Sequence, residues 1–138
     1  MEDPTALEAV FNDQVDRFYR AEDRAEAEEF AESMVNIYHR DKPMYDAWRL
    51  VAEIVKAPTD LKPEDLKAIE KTLTARVALK AYLLYLKCLE DSAAHLSATF
   101  LLSNAEVTGF AGRAKVTQHE LHGLLALNQE VNKKAGSA

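Results

Sequence analysis

Several things are scarce in this 138-residue chain, and each scarcity narrows what it can be. It has a single cysteine, Cys88, so no disulfide forms within one copy. A lone thiol suits a reducing compartment, and we expect a cytoplasmic protein. Glycine and proline number four each, too few for the many tight turns of a β-sandwich. The start, Met-Glu-Asp-Pro-Thr, is acidic where a secretory leader would be basic and then apolar. No apolar run reaches the length of about 20 residues that a membrane span needs. Basic residues are also in the minority, 17 Lys and Arg against 23 Asp and Glu, for a net charge of -6. Taken over the whole chain that argues against nucleic acid, whose phosphates are met by Lys and Arg.

The deficit of positive charge is local. Residues 1–40 carry eleven Asp or Glu against four Arg, and the remaining residues are close to neutral. The acid therefore marks the N-terminal segment, as a solvated face or as a contact for a protein partner. Hydrophobic residues make up 48% of the chain, enough to give one domain of this length a sizeable core.

The core has a centre. Eleven of the thirteen residues from Val77 to Leu89 are apolar, and the exceptions are Lys80 and Lys87. Leu, Ala and Lys favour helix, and a helix apolar on nearly every face has to be covered on nearly every side. The expected fold is therefore one all-α domain of four to six helices around a central buried helix, about residues 63–91. Residues 1–40 form an acidic N-terminal helix, 41–103 the core helices, 104–132 a C-terminal helix pair and 133–138 a frayed tail.

In chain order, Asp3 and Pro4 suit a helix start, and Leu7, Val10, Phe11, Val15, Phe18 and Tyr19 form an apolar stripe. The charged run Arg20 to Glu29 can belong to one helix spanning about 5–39 or separate two. With no Gly or Pro before Pro43, we expect one. Pro43 then opens a helix whose apolar face is Met44, Trp48, Val51 and Val55, closed by Ala57-Pro58. Pro63 opens the next, with Leu61 and Leu66 spaced as a hydrophobic staple, and that helix leads into the central run. It can continue past a bend at Asp91-Ser92 as far as Ser103. Ser103 with Glu106, and Thr117 with Glu120, have capping-box spacing. Gly109 and Gly112 frame a helix end.

Arg76, Lys80, Lys87 and Asp91 recur along one side of the central helix, which predicts its least buried stripe. Leu83 and Leu84 interrupt it. An apolar spot rimmed by charge is a subunit contact, so we expect self-association through Lys80, Leu83, Leu84 and Lys87.

No catalytic constellation is visible. Lys80 and Tyr85 could move protons in a pocket, but no paired acid, nucleophile motif or Gly-rich loop accompanies them, and we expect no enzyme activity and no cofactor. His119 and His122 stand three apart on one helix and could bind a metal with Cys88 or His95. The full H-E-x-x-H pattern is missing, so we expect none.

The stretch Phe110 to Leu125, F-A-G-R-A-K-V-T-Q-H-E-L-H-G-L-L, resembles the helix-turn-helix of bacterial transcription regulators, over about residues 104–126. Ala111, Ala114, Val116, Leu121 and Leu124 stand where that motif has its packing residues. It departs at the turn, where the motif usually has a Gly free to take φ > 0 and this chain has Lys115. The resemblance implies a second helix lying in the major groove of double-stranded DNA. Thr117, Gln118, His119 and His122 would then face base edges, and Arg113 and Lys115 the flanking phosphates. The function expected is a small oligomeric DNA-binding regulator. The alternative is a helical adaptor or assembly subunit that binds only protein.

Overall fold

The computed structural model describes residues 4–56, 61–91 and 100–136, and every regular element among them is an α-helix. They are α1 (Pro4–Tyr19), α2 (Arg24–Ile37), α3 (Lys42–Lys56), α4 (Pro63–Thr72), α5 (Ala75–Asp91), α6 (Asn104–Ala114) and α7 (Gln118–Gly136). The all-α class is as expected. Among the described residues the helices number seven where four to six were expected, because two segments expected to be continuous are broken.

The first break corrects the single acidic helix of residues 5–39. α1 closes on a tight turn in which Ala21 N donates to Phe18 O at 3.1 Å. The α2 helix restarts on Asp23, whose carboxylate accepts from Glu26 N at 2.8 Å, while Glu22 N donates to Glu26 Oε2 at 2.9 Å. Side-chain caps thus do here what Gly or Pro does elsewhere. The carbonyl of Ala21, which a continuous helix would give to a backbone N–H, instead accepts from Lys80 Nζ at 2.8 Å. The turn also lets Phe18 and Phe30 close on Trp48, which both rings meet edge-on with centroids 5.4 and 6.0 Å away. Trp48 is fully buried as a core anchor.

The second break divides α4 from α5 at Leu73-Thr74. Leu73 N still donates to Ile69 O (2.8 Å), but its ψ of -95° leaves the helical path. Thr74 Oγ1 then accepts from Val77 N at 3.3 Å to start α5. The central helix is therefore 75–91, not 63–91. It touches α1, α3, α4, α6 and α7 and buries ten residues, among them Tyr82, Tyr85, Leu79 and Leu86. At roughly 1.5–3 kcal/mol for each large apolar side chain buried, no other helix contributes as much to the core.

Smaller expectations divide. Pro63 opens α4, and Leu61 and Leu66 are both buried, as the staple requires. Lys42 precedes Pro43 within α3, and Ala57-Pro58 lies outside the described residues. A helix unbroken to Ser103 is excluded, since Phe100 to Leu102 are not helical, while 92–99, with His95, lie outside the described residues. Gly109 and Gly112 lie inside α6 rather than at its end, and α7 continues through Lys133 and Lys134 to Gly136 where fraying was expected. Among the described residues no helix is long and apolar enough to cross a membrane.

Candidate functional site

The C-terminal pair is built from its caps. Ser103 Oγ accepts from Glu106 N at 3.2 Å and Glu106 Oε1 from Ser103 N at 3.0 Å, so α6 starts on a complete capping box. Those bonds to Ser103 hold the Glu106 carboxyl below its usual range. α6 ends on Lys115, at φ 57° and ψ 43°, the one non-glycine residue with positive φ among those described. Its N–H closes back on Ala111 and Gly112. A side chain in the left-handed region costs about 1–2 kcal/mol, which tertiary packing offsets here. That packing is visible, since Ala111, Ala114 and Leu124 are buried between α6 and α7.

α7 starts with Thr117 Oγ1 accepting from Glu120 N at 3.1 Å and donating to Glu120 Oε1 at 3.2 Å. The other carboxylate oxygen of Glu120 accepts from the hydroxyl of Tyr19 at 2.6 Å, joining α7 to the end of α1. The Tyr19 bond is the main reason the Glu120 carboxyl is held below its usual range, with Thr117 and Arg76 adding to it. Burial, together with that same Glu120, pushes the Tyr19 phenol well up. The Arg76 guanidinium lies 4.0 Å over the Tyr19 ring and its Nε stands 3.3 Å from Asp16 Oδ1.

The six residues assigned to nucleic acid therefore differ. Arg113 is committed: its Nε donates to Glu70 Oε1 at 2.6 Å, Nη2 reaches Glu70 Oε2 at 3.4 Å, and the guanidinium sits 4.9 Å over the Phe110 ring. Thr117 is spent on the cap. Lys115, Gln118, His119 and His122 are exposed.

The four residues assigned to a subunit contact do not form an exposed stripe. Lys80 is 7% exposed and Leu84 2%, both inside the chain's own core, Leu83 is half-buried and Lys87 exposed. The chain's own helices cover Lys80 and Leu84, while Leu83 and Lys87 remain partly or fully open. Cys88 also differs from the buried apolar residue expected. It is half-buried, and Arg24 Nη1 donates to its Sγ at 2.8 Å. Among the described residues no three His, Cys, Asp or Glu side chains gather to hold a metal.

Two arrangements escaped the sequence reading. One is a polar knot in the core. Tyr82 OH donates to Asn128 Oδ1 at 2.6 Å and accepts from Leu102 N at 2.9 Å, and Asn128 Nδ2 donates to Leu102 O at 3.0 Å. Burial pushes the Tyr82 phenol well up, against the Leu102 bond. The signal was present, since Asn128 occupies an inward position in the series Leu121, Leu124, Asn128, Val131. The other is an edge. Leu7 and Val10 are 52% and 56% exposed on α1, and Ile37 is 57% exposed at the end of α2. Tyr38 OH donates to Gln14 Oε1 at 2.7 Å and holds that end of α2 against α1. No family model, curated protein or solved structure matches the chain.

Proposed function

We propose that the protein is a non-enzymatic helical adaptor that docks a basic, amphipathic segment of a partner protein on the α1–α2 edge. The observation that carries this reading is the exposure of Leu7, Val10 and Ile37 on elements that are otherwise acidic. They are the large apolar side chains left most open among the described residues, and water solvates them at a cost that a partner's apolar face removes. Glu8, Asp13, Glu29 and Glu32 are exposed on the same two helices. With -7 over residues 1–40, this edge repels a second copy of itself and attracts a basic partner.

The test uses a peptide of alternating Leu and Lys with helical spacing, and a Leu/Glu peptide of the same spacing as its counterpart. The basic peptide should bind with an affinity that falls as salt rises. Leu7→Ser with Val10→Ser leaves every charge in place and should weaken binding at least tenfold. Equal binding of the two peptides, or no effect of the double substitution, overturns the reading.

A second reading is favoured by a separate observation, the exposure of Lys115, Gln118, His119 and His122 around the start of α7. On it the protein is a DNA-binding regulator whose two copies present their α7 starts about 34 Å apart. Residues 104–138 support it with four Lys or Arg against three Glu, in a chain that is otherwise acidic. It ranks second because Glu70 already neutralises Arg113, and duplex binding draws on several phosphate contacts at once. Titration of random-sequence duplex at low salt decides it. Binding that Gln118→Ala weakens by about 1–3 kcal/mol at a selected site, and Lys115→Ala weakens on all sequences, would establish it.

A further inference from the structure

A groove of about 520 Å³ runs between the end of α1, one side of α5 and the first half of α7. That volume is in the range that holds a small organic molecule, about 300–1,000 Å³. Its walls are largely apolar, supplied by Ala21, Leu79, Leu83, Val116, Leu124 and Leu127. Two features of it have no account in the packing of the chain.

The first is charge. Lys80 lies in the groove wall, buried to 7% exposure, and forms no ion pair with any described residue. Its one hydrogen bond among the described residues goes to a neutral acceptor, the carbonyl of Ala21, and the Tyr19 ring centroid is 5.8 Å away. Buried ammonium groups are ordinarily matched by a counter-charge. Around this one the other fixed charges on the walls are mostly of the same sign. Arg20 and Lys87 line the groove too, and the one acid among its described lining residues, Glu120, is held by Tyr19 and Thr117. Burial and the nearby Lys87 both press the Lys80 ammonium to release its proton, and Glu26 opposes them more weakly.

The second feature is Gly123. It sits inside α7, where glycine costs about 1 kcal/mol relative to alanine, and it lines the groove. A Cβ built there would meet nothing within 4 Å, so no close approach of helices requires it. What the missing side chain does is leave the groove open along α7.

We propose that this groove binds a medium-chain aliphatic carboxylate, with its head on Lys80 and its tail along Leu79, Leu83, Leu124 and Leu127 beside Gly123. The carboxylate supplies the counter-charge that the chain withholds, and Arg20 and Lys87 at the walls draw the anion in. The apolar walls exclude an anion without a tail and the buried ammonium disfavours a tail without an anion. The site is separate from the α1–α2 edge and stands or falls independently of it.

The test is calorimetric titration of the full chain with decanoate, with decanol as the same tail uncharged and acetate as the head alone. Decanoate should bind one per chain, at least tenfold more tightly than either. Gly123→Phe narrows the groove while keeping the Lys80 side chain, and should weaken decanoate at least tenfold while melting no lower than the parent chain. Lys80→Met keeps the length and apolar contacts of the side chain and should abolish the preference for decanoate over decanol. Failure of decanoate to bind, many molecules per chain, equal affinity for decanol, or a Gly123→Phe chain that titrates like the parent overturns the proposal. The glycine variant keeps the test decisive if Lys80→Met does not fold.

Discussion

The hydroxyl of Tyr82 on α5 and the amide of Asn128 on α7 share a hydrogen bond of 2.6 Å where neither side chain reaches water. Between them they satisfy both backbone groups of Leu102, in the irregular segment that leads into α6. Substituting one partner leaves buried polar atoms unmatched, and each unmatched group costs about 1–3 kcal/mol. Asn128→Leu should therefore lower stability by about 2–4 kcal/mol, and Tyr82→Phe by about 1–3 kcal/mol. The pair is one unit, so the double variant should cost clearly less than the sum. Denaturant unfolding of the four chains measures this. Additive losses would show that the two side chains act separately.

Lys115 gives a gain rather than a loss. Its left-handed conformation favours glycine, so Lys115→Gly should stabilise the chain by roughly 1 kcal/mol. Thermal melting reads the change. A lower melting temperature would mean that the lysine side chain has a packing role outweighing its backbone strain.

Leu84 tests which face of α5 is covered from within. It is 2% exposed in the single chain. Leu84→Asp should therefore unfold the protein or lower its stability by several kcal/mol, since it buries an unpaired carboxylate. If the variant melted normally and only its sedimentation changed, a subunit contact at that position would be restored.

The buried Lys80 predicts a pH dependence. Its folded pKa lies below its unfolded value, so above the folded pKa the unfolded chain binds more protons and stability rises with pH. That gain accumulates up to the ordinary lysine value near 10.5. Tyr19, Tyr38, Tyr82 and Tyr85 oppose it, because their raised pKa values make stability fall above about 10, the ordinary tyrosine value. The window is therefore from the depressed Lys80 value to about pH 10. Melting temperatures across that window should rise less steeply in Lys80→Met than in the parent chain. Parallel profiles would mean that Lys80 is not desolvated.

How much of this was legible follows from what each feature depends on. The central run, the Trp48 face and the caps at Ser103 and Thr117 were readable, because local propensity and spacing decide them. The breaks at Arg20–Asp23 and Leu73-Thr74 were not. Neither contains Gly or Pro, and one of them involves a carbonyl taken by a lysine 59 residues away. The burial of Lys80 does not show in the sequence, because a charge in a helix reads as an exposed position. The turn after α1, which presents the Ala21 carbonyl, gives the ammonium a hydrogen bond but no counter-charge. The pairing of Arg113 does not show in the sequence because Glu70, its partner, lies 43 residues upstream on another helix.

The helix partners are mostly neighbours in sequence: α2 packs on α3, α4 on α5 and α6 on α7. Such hairpins close short loops, and domains dominated by local contacts fold within microseconds to milliseconds. Packing of α3 and α7 on α5 is longer in range, and so is that of α1. The end of α1 is fixed by Lys80 and by Glu120, and the Tyr19–Glu120 bond spans 101 residues. That docking closes a long loop, so the helix comes late in assembly. By the same logic it is released early, and the amide protons of α1 should exchange with solvent well ahead of those of α5.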